Sequence, residues 1–226
     1  MERITFALTS CGRLDLLDRT ISSFRVMNTH PIERWIMVED SGNHEIHAEL
    51  QRRYPEFEIL FNEERLGPIK SLHRLYATIE TPWIMHCEDD WEFVRPGFIE
   101  KSLAILQMSG NEHLLLVALR GTDSGENNGH PMMWDEQGVA KGVKYVLSKG
   151  NYMGCWCGYG TNPALRRLAD YLVVDKSLTM EQHISMQYMK MGKRTAVLME
   201  EPHIKHIGAG KSAYFGQYPG LPAFTP

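Results

Sequence analysis

Residues 83–93 read Trp83-Ile84-Met85-His86-Cys87-Glu88-Asp89-Asp90-Trp91-Glu92-Phe93. An apolar run of strand character passes directly into three adjacent carboxylates. Like charges side by side repel, so carboxylates clustered at the end of a buried strand call for a partner. A hard divalent cation is the usual one: Mg²⁺ and Mn²⁺ take oxygen ligands, often one or two carboxylates plus phosphate oxygens. The plain alternative is a solvated acidic turn between a strand and a helix.

Upstream, strand and helix patterns alternate. Ile4 to Thr9 reads as a buried strand, and Leu14, Leu17, Ile21 and Phe24 recur at helical spacing. Trp35 to Val38 is a second strand, ending at Glu39-Asp40-Ser41-Gly42. Glu45 to Tyr54 reads as a helix, Phe57 to Phe61 as a third strand, and Ile69, Leu72, Tyr76 and Ile79 as another helix. This order predicts parallel strands with helices on both faces. Ligands in such sheets collect at the carboxyl ends of the strands. Thr9-Ser10, Glu39-Asp40 and Glu88-Asp89-Asp90 are therefore the first candidates for a site.

The second half is less regular. Phe98 to Met108 predicts a helix and Leu114 to Leu119 a strand. Gly121 to Gly142 is polar, glycine-rich and without clear period, and reads as a long loop of the kind that is usually functional or disordered. Pro163 stands at a first helical position before Leu165, Leu168, Ala169 and Leu172. Met180, Ile184, Tyr188 and Met191 mark a further helix, closed by Gly192, and Thr195 to Met199 a last strand. Residues 208–226 read as a surface tail. The chain is expected to form one domain: a ligand-binding half over residues 1–95, a second half over 96–207, and the tail.

Composition narrows the possibilities. Of 226 residues, 43% are apolar and 23% charged, with a formal net charge of −4, which suits a globular protein that does not bind nucleic acid. No apolar run approaches the ~20 residues that span a bilayer. A cytoplasmic location is expected, with Cys11, Cys87, Cys155 and Cys157 as small residues in a reducing compartment.

The segment ending in Glu88-Asp89-Asp90 resembles the Asp-x-Asp region of GT-A glycosyltransferases, in particular the inverting enzymes of family two. Other segments follow in the family's order: Thr5 to Ser10 with the helix from Arg13, Val38 to Gly42, Asn62 to Leu75 around Leu66-Gly67-Pro68, Glu181-Gln182-His183, and His206-Ile207-Gly208. The resemblance is good over about residues 1–95 and patchy afterwards. It implies an α/β chain with the three-layer α/β/α nucleotide-diphospho-sugar transferase fold around a mostly parallel sheet. It also implies a divalent metal, Mn²⁺ or Mg²⁺, held by Asp90 with His206. Glu88 replaces the family's first aspartate, which assigns it to a ribose or water-mediated contact. Asp40 falls on the family's base-contacting aspartate.

The implied reaction is sugar transfer from a nucleoside diphosphate, by default a UDP-sugar, to the hydroxyl of an unidentified acceptor. The acceptor hydroxyl needs a general base. Glu181 is the candidate; Gln182, where the family often has the basic aspartate, cannot take a proton, and Asp175 is the reserve. Thr9, Ser10 and Asp89 are expected to line the donor site. Arg13, Lys70 and Lys211 are candidate phosphate contacts. Trp156, among glycines that let a ligand approach closely, offers a face for a sugar ring. Two rivals stay open: a sugar-phosphate nucleotidylyltransferase, although Thr9 to Arg13 holds a single glycine, and a non-enzymatic nucleotide-sugar binding module.

Overall fold

Strand β1 (Ile4–Ser10) shows how the layers arise. Ile4, Phe6 and Leu8 enter one buried apolar cluster and Ala7 the other, as a period of two requires for a strand covered on both faces. The remaining elements, in chain order, are α1 (Leu14–Met27), β2 (Arg34–Glu39), α2 (His44–Arg53), β3 (Glu58–Phe61), α3 (Pro68–Tyr76), β4 (Trp83–Glu88), β5 (Trp91–Phe93), α4 (Phe98–Leu106), β6 (Leu114–Ala118), β7 (Met133–Ala140), β8 (Val143–Gly150), β9 (Ala164–Arg167), α5 (Leu168–Leu172), α6 (Glu181–Lys190), β10 (Arg194–Leu198) and β11 (Ile204–His206). The computed structural model describes residues 1–121, 133–150 and 159–208. Among them, no helix is long and apolar enough to cross a membrane.

The main sheet runs β3-β2-β1-β4-β9-β6-β10-β8-β7. The first four strands are mutually parallel. Strand β9 is antiparallel to both neighbours, and β8 likewise, so every other strand in the sheet points the same way. The sheet is mostly parallel in direction, as expected. Helices α1, α2 and α4 pack on one face, with Phe6, Phe24, Phe93 and Phe98 in a chain of rings 4.0–5.1 Å apart. Helices α3, α5 and α6 pack on the other, around Tyr76, Tyr171 and Tyr188.

Two expectations fail. The segment 121–142 is not all loop: from Met133 it forms β7, which pairs with β8 in a hairpin. The turn places Lys141 and Gly142 at φ 49° and 84°, the paired positive values of a two-residue hairpin turn. Strand β7 ends the sheet and exposes Asp135, Glu136, Gln137 and Val139, so it lacks the apolar alternation that marks a strand. Residues after Pro163 do not start a helix either. Ala164–Arg167 form β9 between β4 and β6, and only Leu168–Leu172 are helical.

From β1 the chain steps to β2 and β3 on one side and to β4 on the other. The strand order therefore reverses between β1 and β4, and a crevice opens at their carboxyl ends, the position at which sheets of this type bind ligands.

Candidate active site

Both walls of that crevice are strand ends. Thr9 pairs with Glu88 across β1 and β4, which brings Ser10, Cys11 and Arg13 opposite the acidic turn. Thr9, Ser10, Arg13, Asp40, Glu88 and Asp89 all line one pocket there, with Pro68 and Ser71 of α3 at its side.

The three carboxylates have overlapping but distinct sets of partners. Asp89 is 2% exposed and meets Arg13, whose Nε is 3.3 Å from Oδ2 and whose Nη2 is paired with Oδ1. The Cys11 N–H donates to Asp89 at 3.2 Å. Burial still pushes Asp89 up to about 6, against the pull of Arg13. Its backbone is fixed from α1: the Thr20 hydroxyl donates to the Asp89 carbonyl at 2.9 Å and accepts the Trp91 N–H at 3.1 Å, and Ser23 Oγ accepts the Phe93 N–H at 2.9 Å. Thr20 and Ser23 sit three apart on one helix face, and no local pattern in the sequence marks them.

Asp90 shares Arg13 with Asp89 and adds a partner of its own. Its Oδ2 lies 2.9 Å from Arg13 Nη1 and 3.3 Å from His206 Nε2. Burial alone would raise its pKa, but His206 and Arg13 outweigh it and hold the carboxyl below its ordinary value. The meeting with His206 is set by register. Strand β11 pairs antiparallel with β5, His206 opposite Trp91, and the Ile207 N–H donates to the Asp90 carbonyl at 2.9 Å. A Cβ at Gly208 would overlap the Asp90 carboxylate, so only glycine lets the chain pass this closely. The His206 ring packs on Trp91 at 4.8 Å, and the Arg120 guanidinium lies 4.4 Å from the same indole. His203 belongs to the frame: it is buried between the Arg95 carbonyl at 3.1 Å and Glu200 at 2.7 Å.

Glu88 leans toward the second half of the chain. Its Oε1 is 2.9 Å from the Thr161 hydroxyl and its Oε2 3.3 Å from the Trp91 indole nitrogen. Burial, then the charges of Asp90 and Glu181, push it up to about 7. Glu181 joins it there: Oε2 accepts from the Thr161 N–H at 3.1 Å and lies 2.9 Å from the hydroxyl. Glu181 is the first residue of α6, in line with buried Ile184, Ser185 and Tyr188 at helical spacing, whereas Gln182 is exposed. The helix thus faces Glu181 inward and Gln182 outward. Thr161 escaped the sequence reading because no local pattern marks it. It arrives through β9, whose antiparallel pairing with β4 reaches His86 opposite Ala164 and carries the preceding loop alongside Glu88.

Asp40 borders the same pocket but is engaged elsewhere, and the remaining candidates lie apart. Asp40 is 1% exposed, and its carboxylate accepts from Asn62 Nδ2 at 2.6 Å and from the N–H groups of Leu66 and Gly67 at 2.8 and 2.9 Å, fixing the entry to α3. Lys70 is exposed on α3. Asp175 is exposed beyond α5, holds the Ser177 N–H at 2.9 Å, and lines a separate groove with His183 and Gln187. Trp156 and Lys211, with Cys155 and Cys157, lie outside the described residues.

Among the described residues no third His, Cys, Asp or Glu completes a metal cage. Asp90 and His206 nevertheless fit a divalent ion as a pair: the carboxylate is the oxygen donor that Mg²⁺ and Mn²⁺ take together with phosphate oxygens, and the imidazole nitrogen is a softer donor that suits a transition ion better than Mg²⁺, while Arg13 shares the same Asp90 oxygen.

The architecture has solved counterparts. A crystal structure of S. aureus TarS 1-349 in complex with UDP-GlcNAc superposes with TM-score 0.60 at 12% identity, over 92% of this chain and 61% of that one. The mannosyltransferase PcManGT from Pyrobaculum calidifontis, in complex with GDP-Man and Mn²⁺, gives TM-score 0.59 at 11% identity, over 88% of this chain and 56% of that one. The chain has the GT-A fold. It spans about 60% of the TarS 1-349 fragment and 36% of the longer TarS chain. No protein-family model and no curated protein sequence matches it.

Proposed function

We propose that this GT-A chain is an inverting, divalent-metal-dependent glycosyltransferase that moves a sugar from a nucleoside diphosphate to an acceptor hydroxyl. The observation that carries the reading is that Glu88, at the carboxyl end of β4, lies within reach of both the Asp90–His206 pair and the inward-facing Glu181, which it meets through Thr161. The solved counterparts with UDP-GlcNAc and with GDP-Man and Mn²⁺ bound support the donor class and the ion.

In this mechanism Thr9, Ser10 and Arg13 border the donor, and Arg13 presents positive charge to the diphosphate. Asp90 and His206 would hold the ion, which supplies neutralising charge to the leaving diphosphate. Glu181 accepts the acceptor's hydroxyl proton as that oxygen bonds to the anomeric carbon. The bond from that carbon to the diphosphate oxygen breaks, and its electron pair leaves with the diphosphate. A positioned base of this kind contributes about 10²–10⁴ in rate.

Arg13 favours a second reading. Its Nη1 already occupies Asp90 Oδ2, so the guanidinium could serve as the cation for the diphosphate without a metal. A thermal-shift panel of UDP, GDP and TDP, with Mn²⁺ or with EDTA, decides between them. Stabilisation by one nucleotide that requires Mn²⁺ supports the first reading; equal stabilisation in EDTA supports the second. No response to any nucleotide in either condition, with no sugar transfer from UDP-GlcNAc or GDP-mannose, overturns both.

A further inference from the structure

Thr161 stands where two carboxylates meet. Its hydroxyl is 2.9 Å from both Glu88 Oε1 and Glu181 Oε2, and its N–H donates to that same Glu181 oxygen at 3.1 Å. The N–H is a fixed donor on Oε2, and the hydroxyl's single proton goes either there or to Glu88 Oε1; pointed at Glu181, it adds a second donor that fixes the carboxylate's rotation. Oε1 is left as the oxygen that Thr161 does not engage, beside Gly160, where a Cβ would come within 3.4 Å of it.

Thr161 is itself held from below. Arg166, 4% exposed on β9, donates through Nη2 to the carbonyls of Gly160 and of Asn162, the latter at 3.1 Å. These residues flank Thr161 on both sides. The guanidinium lies 5.1 Å from the Tyr159 ring and makes no ion pair with a carboxylate of the described residues. Its Nε and Nη1 are buried without a hydrogen-bond partner. Burying a cation is costly, and here the two carbonyls, the Tyr159 ring and the charge of Glu181 are what offset it.

We propose that Thr161 is the positioning residue that aims Glu181 Oε1 at the acceptor hydroxyl, with Arg166 fixing the backbone of Thr161 for that purpose. The proposal rests on the reading of Glu181 as the general base.

The test uses the whole chain and measures nucleoside diphosphate release from the UDP- or GDP-sugar that the wild type turns over. Thr161→Val keeps the shape and removes the hydroxyl; kcat should drop about 30- to 100-fold, the scale of a misaimed reacting group. Donor KM should stay within about twofold, because the lost contact serves the transition state. Thr161→Ser should restore kcat to within about threefold, since the hydroxyl returns. A structural role alone would not give this split with rescue. Should Thr161→Val not fold, Thr161→Cys, a weak donor of similar size, carries the same test.

Glu181→Gln separates the two levels. If it keeps full activity, the base reading itself is overturned. If it is inactive while Thr161→Val matches the wild type, the positioning role alone is overturned. Crystal structures of wild type and Thr161→Val give an answer whatever the donor: the Glu181 carboxylate should rotate away in the variant, and an unmoved carboxylate refutes the proposal.

Discussion

The two sides of the acidic turn are built in opposite ways. Toward β1, the site comes from parallel strands whose ends lie side by side, and its residues follow their strands directly: Ser10 and Arg13 after β1, Asp89 after β4. Toward β9 and β11, the site is completed by antiparallel pairings between segments far apart in sequence, Thr161 against Glu88 and His206 against Asp90. The first side is stiff, with Arg13 and Asp89 nearly buried and α1 clamping the turn backbone. The second side carries Asp90, His206 and Glu181, the groups to which the proposed function assigns the chemistry. On the proposed function, donor-binding scaffold and reacting groups are divided between neighbouring carboxylates of one turn.

The sharpest way to break this division is to compare Asp89 and Asp90. Asp90→Asn should lower transfer by about 10²–10³-fold, the scale of losing one preorganised electrostatic contact, while lowering the melting temperature by less than Arg13→Met does, because Arg13 keeps its pairing with Asp89. It should also abolish the stabilisation that Mn²⁺ adds in the presence of nucleotide. Steady-state kinetics and thermal melts check both. A fully active, Mn²⁺-responsive Asp90→Asn would place the metal elsewhere and erase the contrast.

The same contrast explains what could be read from sequence. Strands β1 to β4 were legible because each is a short apolar run buried on both faces, bounded by polar turns, with helical periods between. The strand-end rule then located Thr9, Ser10, Asp40 and the acidic turn without any knowledge of contacts. Asp40 shows the limit of that rule: it lies at the right strand end, yet its carboxylate is taken up by the Leu66 and Gly67 N–H groups and the Asn62 amide. The second half resisted because its information is in register. Strand β9 is four residues long and β11 three, too short for periodicity, and exposed β7 has no apolar alternation. His206 was reachable by resemblance alone. Thr161 was not reachable, since its importance comes from a β4–β9 pairing that no local pattern announces.

The stiff side makes its own prediction. Arg13→Met should destabilise the fold by about 3 kcal/mol, since breaking a buried pair strands a carboxylate. For a chain of this size that is a fall of about 6–12 °C in melting temperature. Adding Asp89→Asn should recover much of the loss, because the stranded charge goes with it. A recovery from Asp90→Asn instead would show that Arg13 serves mainly the second side, and the two regions would no longer be distinct.

The smallest effect lies at the boundary between them, on Glu88. Its pKa is raised from 4.5 to about 7 by burial, then by Asp90 and Glu181, and Asp89 is raised from 3.8 to about 6. Between the unfolded and folded values the native state binds more protons than the unfolded chain, so each group's contribution to stability declines as pH rises through its window. Asp90, lowered, has the opposite sign and acts only below 3.8. His86 and His73, lowered mainly by burial, also pull the other way near neutrality, since the unfolded chain protonates them first. The wild-type curve alone therefore mixes signs, and the informative quantity is the difference between melting temperatures of Glu88→Gln and wild type in metal-free buffer. That difference should move in favour of the variant as pH rises from about 5 to 7.5, because only the wild type then ionises a half-buried carboxylate beside Asp90 and Glu181. A difference that stays flat over that range would mean that Glu88 is solvated, and that the turn does not separate the first side from the second.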